Sequence, residues 1–190
     1  LSVFSVMSIM TSQYFLAEIN NELKLVNEKL DNILEFLYGD KKAELLSEIS
    51  FARYAYENYT SIMKHTELRV SVISNIYQSK KVAMKDIEFY LRDLERIVTK
   101  ETKSSDSLNN CVNDSVQVAQ SINLSLQLFA LCCLLEALYG ENTDASYVKY
   151  ISSDLKLQND RCEKRIIACF SGLQEKIKNY KGTPLKKIDK

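Results

Sequence analysis

The chain has 190 residues, 46% of them hydrophobic, and its 25 basic residues balance 25 acidic ones. That composition suffices for one sizeable core and excludes disordered, collagenous and disulfide-stapled classes. A formal charge of zero supplies no global field toward nucleic acid or an acidic membrane, so nucleic acid is not an expected partner and any such binding is local.

Apolar residues recur at alternating three- and four-residue steps along most of the chain, and neither glycine nor proline occurs between Asp40 and Tyr139. A period of 3.5 keeps one stripe facing a neighbouring helix. The pattern predicts an all-α fold: an elongated, antiparallel, coiled-coil-like bundle of four to five long helices. It is expected as one domain over 1–181, formed by a hairpin over 12–98, a polar linker over 99–110 and a hairpin over 107–180. Residues 182–190 read as a flexible basic tail.

The first helix is expected over 12–38, with a seam of Leu16, Ile19, Leu23, Val26, Leu30, Ile33 and Leu37. Gly39 is expected to close it in the left-handed conformation, and Asp40 to cap the next helix. The apolar flanking residues Leu34 and Phe36 widen that face and imply more than one neighbour. A second stripe follows from Leu45 through Ile49, Ala52, Tyr56, Tyr59 and Met63, then Thr66, Val70, Ile73, Tyr77, Lys80, Met84, Ile87, Leu91, Leu94 and Val98. As one helix it would extend roughly 80 Å at about 1.5 Å per residue. A break is expected near residues 65–67 or 79–81, where the seam turns polar.

The third helix, from about Ser107 to Tyr139, is apolar nearly all round over 128–139 and belongs in the centre of the bundle. Gly140 is expected to close it. The fourth, from about Ser146 to Tyr180, carries Val148, Ile151, Leu155, Cys162, Ile166, Cys169, Leu173 and Ile177, and Gly172 is expected to weaken its last turns. Residues 33–40 (ILEFLYGD) are echoed by residues 134–141 (LLEALYGE). Convergence of two helix ends accounts for this more simply than duplication, because upstream Leu16, Ile19 and Val26 align with glutamines.

Little in the chain points to catalysis, and no cofactor is expected. His65 is the only histidine, which removes multi-histidine metal centres, and it reads as a polar residue at a kink or an exposed edge. Cys132 and Cys133 are adjacent and so diverge on a helix, while Cys162 and Cys169 share a core face; the five cysteines read as packing residues in a reducing, cytoplasmic setting. No glycine-rich phosphate loop is present. The pairs Asp86 with Glu88 and Asp93 with Glu95 sit two apart and read as solvated. Glu88 with Arg92 and Asp160 with Lys164 have the spacing of helix-surface ion pairs. Tyr54, Tyr56 and Tyr59 beside Arg53 read as helix-interface residues rather than a base-stacking platform. Residues 2–10 are apolar but short, without a positive flank, and make a poor signal peptide. No segment is expected to reach the length of about 18 apolar residues that a bilayer span needs.

The leading functional expectation is a non-enzymatic helical interaction, regulatory or scaffold protein that binds a protein partner or itself. The interaction residues singled out are Val3, Phe4, Val6, Met7, Ile9 and Met10, together with the seam residues Leu16, Ile19, Leu23, Val26, Leu30, Ile33 and Leu37. An unpaired stripe at residues 3–10 or on the outer half of the second stripe would take an amphipathic helix. The alternative is a membrane-active bundle that stores residues 3–10 and 126–138 and releases them at a bilayer.

Overall fold

A computed structural model describes residues 12–33, 39–141 and 144–180. They form six helices and no strand: α1 (Ser12–Ile33), α2 (Gly39–Glu57), α3 (Tyr59–Ile62), α4 (Thr66–Thr99), α5 (Ser105–Gly140) and α6 (Ala145–Lys178). The all-α class stands, with five long helices and one single turn. The expected tail over 182–190, Leu37 and the apolar residues 3–10 lie outside the described residues.

Side-chain contacts fix how the long helices run. Lys80 of α4 meets Glu136 of α5 at 3.0 Å, and the Cys111 thiol donates to the Ile97 carbonyl at 3.3 Å, so α4 and α5 are antiparallel. Lys80 also meets Asp154 of α6 at 3.4 Å, while Arg165 meets Glu95 at 2.7 Å and Lys176 donates to the Val98 carbonyl at 2.5 Å. α6 is therefore parallel to α4. α2 is antiparallel to α4, since Lys41 reaches Asp86 at 2.6 Å and the Ser79 hydroxyl donates to Glu48. α5 is the axis, touching α1, α2, α4 and α6, and α1 packs more extensively on α5 than on α2. Apart from its exposed Asn123, the stretch 121–139 of α5 is buried or half-buried in every direction, which is where its all-round apolarity belongs.

The long second stripe breaks where its polar seam begins. Asn58 leaves the helical region, with φ −101° and ψ 12°, and its side-chain amide donates to the Tyr54 carbonyl at 2.9 Å, sharing that acceptor with its own backbone N–H at 3.1 Å. His65 is extended at the start of α4. The expected break at residues 65–67 is thus present, whereas the one at 79–81 is absent because Ser79 and Lys80 find partners on α2, α5 and α6.

The buried stripe has already slipped by one residue before α4 begins, with Ala55 buried where Tyr56 was expected and Ile62 where Met63 was. In the first half of α4 the buried residues are Val72, Ile76, Ser79 and Ala83, each one position before the expected Ile73, Tyr77, Lys80 and Met84, which leaves Val70, Tyr77 and Met84 exposed. The expected seam and the core rejoin at Ile87, Leu91, Leu94 and Val98. α6 has no interruption, and Val148, Ile151, Leu155, Cys162, Cys169 and Leu173 are all buried as expected, while Ile166 is half-buried and Ile177, also placed on that stripe, is exposed.

The linker between α4 and α5 is only 100–104. Ser104 caps α5, accepting from the Ser107 N–H at 3.1 Å while Ser107 accepts from the Ser104 N–H at 3.0 Å. At the other end the left-handed residue is Glu141, φ 48°, and not Gly140. Arg69 accounts for this: it donates to the Tyr139 carbonyl at 2.9 Å and pairs with the Glu141 carboxylate at 2.7 Å, offsetting the roughly 1 kcal/mol that a side chain costs there. Gly39 is the first residue of α2, and the residues just before it lie outside the described ones. α6 runs through Gly172 to Lys178.

Candidate interaction surface

Of the seam residues singled out in α1, Ile19, Leu23, Val26 and Leu30 are buried in the core and Leu16 is half-buried; Phe15, outside that seam, is buried as well. In this structure they are spent on the chain's own packing. Ile33 ends α1, but its side chain lies outside the described residues.

The open apolar surface is instead the outer edge where α4 meets α6. Val70, Tyr77 and Met84 follow one another at seven-residue steps on α4 and are 60%, 44% and 41% exposed. On α6, Tyr150 and Leu157, also seven apart, are 62% and 64% exposed. The contact between Lys80 and Asp154 sets their placement. Tyr77 and Met84 flank Lys80 by three and four residues, and Tyr150 and Leu157 flank Asp154 likewise, so each set shares an edge with its neighbour across the groove. The sequence marked Val70, Tyr77 and Met84 as a seam; Tyr150 and Leu157 were missed, and their seven-residue spacing outside the core stripe was the available signal.

The floor of this groove is polar and saturated. Glu136 accepts from Lys80 at 3.0 Å and from the Tyr147 hydroxyl at 2.9 Å, and Lys80 lies 5.2 Å from the centre of the Phe129 ring. Burial works against the charge on Lys80, but Cys133, Glu136 and Asp154 outweigh it and its pKa is raised. Burial pushes the Cys133 thiol up to about 12 and raises that of Tyr147, whose hydroxyl also serves Glu136. Farther along, Glu88 receives Arg161 at 2.5 Å, Arg165 at 3.0 Å and Arg92 at 3.1 Å. Every acid on the groove floor is therefore engaged.

Several expectations about charged residues change. Asp86 and Asp93 are 2% and 8% exposed, not solvated, because they point inward from α4. Lys41 answers Asp86, and Arg96 answers one oxygen of Asp93 at 2.5 Å while its other oxygen has no hydrogen-bond partner. Asp93 borders a mixed-charge cleft of about 400 Å³ between α4 and α5, with Arg96, Lys100 and Asp114 on its walls. Glu88 pairs with Arg92 as its spacing suggested, whereas Asp160 and Lys164 form no ion pair among the described residues. All five cysteines are free and buried. His65 is exposed at the break before α4. Tyr59 packs edge-to-face on Tyr139 at 5.5 Å, while Arg53 is used by Asn27. Among the described residues no cluster of three or more His, Cys, Asp or Glu side chains could hold a metal ion.

α5 is long and apolar enough, by length and composition, to cross a membrane, against the expectation that no segment reaches that length. Its serines, asparagine and glutamine dilute the apolar run without bringing in charge. Of its most apolar stretch 67% is buried inside the bundle, as in any core helix. No known protein family, curated protein or solved structure matches this chain.

Proposed function

We propose that this is a non-enzymatic interaction protein of the cytoplasm that receives an amphipathic helix of another protein in the α4/α6 groove. One observation carries the reading: five large apolar side chains, Val70, Tyr77, Met84, Tyr150 and Leu157, stand in two parallel rows at heptad spacing, each at least 41% exposed. Scattered apolar residues are ordinary on a surface, but contiguous ones in register on two helices match the regular anchors of a helix-in-groove complex. Five buried free thiols support the reducing compartment. A photo-crosslinking residue at position 77 or 157 in cells should give one discrete adduct that is absent when it is placed at exposed Asn113 of α5. Equal labelling from all three positions would sink the proposal.

A second reading is a membrane-active bundle, favoured by the length and apolarity of α5. Flotation with neutral and anionic liposomes, with dye release recorded on the same samples, tests it. Co-flotation with leakage supports it, and a protein that stays in solution with the dye retained removes it.

A further inference from the structure

We infer that the helix received by the α4/α6 groove is acidic, carrying glutamate or aspartate beside its apolar anchors. The inference rests on the groove reading above and adds the chemistry of the partner. Lys81 lies between Tyr77 and Met84 on the outer side of their row, and Lys85 follows Met84. On α6, Lys164 continues the seven-residue series of Tyr150 and Leu157. All three lysines are exposed, and none forms an ion pair among the described residues.

The acids that could neutralise the two α4 lysines are committed elsewhere. Asp154 and Glu136 hold Lys80, Glu88 holds three arginines, and Glu95 holds Arg165. On α6, Asp160 lies one turn before Lys164 and partly offsets its charge, while Glu67 stands at the open upper end beyond Val70, so the excess positive charge lies on the α4 side. The groove thus combines apolar anchors with uncompensated positive charge from Lys81 and Lys85 on the α4 rim, although the chain as a whole is neutral.

That asymmetry selects among occupants. A second copy docked through the same groove would set lysines against lysines, and like charges across an interface disfavour it. An acidic helix would instead gain from rim charges that steer encounter and fix register. Its anchors should repeat every seven residues, because both rows do, which corresponds to about 10.5 Å along each helix. An anionic membrane shares the charge preference, but a seam between two helices in register suits a helix better than a lipid surface.

The test uses the full chain and two synthetic amphipathic helices about three heptads long, with identical leucine anchors and either glutamate or lysine flanks, read by fluorescence anisotropy. The glutamate peptide should bind about tenfold tighter at low salt, and the difference should shrink at high salt. The K81E/K85E/K164E variant, its helicity checked by circular dichroism, should invert the order. The double variant Tyr77→Ser with Leu157→Ser should weaken both peptides alike. Equal affinities for the two peptides would overturn the acidic partner while leaving the groove intact. Failure of both to bind would overturn the groove reading itself. Binding to phosphatidylglycerol vesicles but to neither peptide would assign the lysines to a membrane, and a concentration-dependent dimer abolished by the serine variant would assign the groove to a second copy.

Discussion

The two halves of α5 share one unbroken helix but live in different surroundings. Over 121–139 nearly every side chain is covered by α1, α2, α4 or α6, and Phe129, Leu131 and Tyr139 are fully buried. Over 105–120 only one stripe, Leu108, Cys111 and Ser115, is buried, and Val116 is exposed. α2 begins beside Asp86 and so does not extend along the last turns of α4, and among the described residues nothing from α2 covers the cleft near Asp93. Helical structure is thus uniform along α5 while the packing that stabilises it is concentrated at one end.

The largest effects should separate those halves. Phe129→Ala should cost about 3–5 kcal/mol in urea unfolding, whereas Val116→Ala should stay within about 0.5 kcal/mol; similar losses would show that both halves are packed alike. Next, Glu136→Leu should cost about 3 kcal/mol by leaving Lys80 and Tyr147 short of an acceptor. Combining it with Lys80→Met should restore most of that, since the penalty comes from the stranded partner. If the double change is no better than the single one, the cluster contributes more than mutual neutralisation.

At the sparsely packed half, Ser104→Ala should cost about 1 kcal/mol, because the cap is a larger share of what holds that end. Gly172→Ala, where the added methyl would meet only Val98 at 3.8 Å, should add about 0.5–1 kcal/mol to thermal stability. The smallest effect concerns pH. Burial would raise the pKa of Glu88, but Arg92, Arg165 and Arg161 outweigh it and hold it below its ordinary value of 4.5. A depressed folded-state pKa contributes stability above that ordinary value and loses it as pH falls through the folded value. Acid titration below 4.5 should therefore destabilise the wild type more than Glu88→Gln, and parallel curves would show the arginines to be solvated there.

Much of this was legible in the sequence, and the failures have physical causes. α6 was read nearly residue by residue because an uninterrupted helix keeps its phase from Val148 to Leu173. The first half of α4 was misread because the buried stripe slips by one residue from the strict heptad, a slip already present at Ala55 that carries on past the break and leaves Val70, Tyr77 and Met84 outside the core. Asp86 looked solvated because its partner, Lys41, lies 45 positions earlier, beyond any local pattern. The groove was half visible: periodicity marked Val70, Tyr77 and Met84 as a seam, but only three-dimensional packing decides that a seam has been left open.

The closure of α5 by Arg69 has a consequence for the order in which the bundle is built. The cap comes from a residue 70 positions away, on the first turn of α4, so part of the closure of this helix is non-local. An emerging or isolated α5 would fray at Tyr139, and its final turn would settle only after α4 has docked alongside. The most buried part of the molecule therefore ends in a turn that closes late, which ties completion of the core to the arrival of the helix that also carries half of the groove.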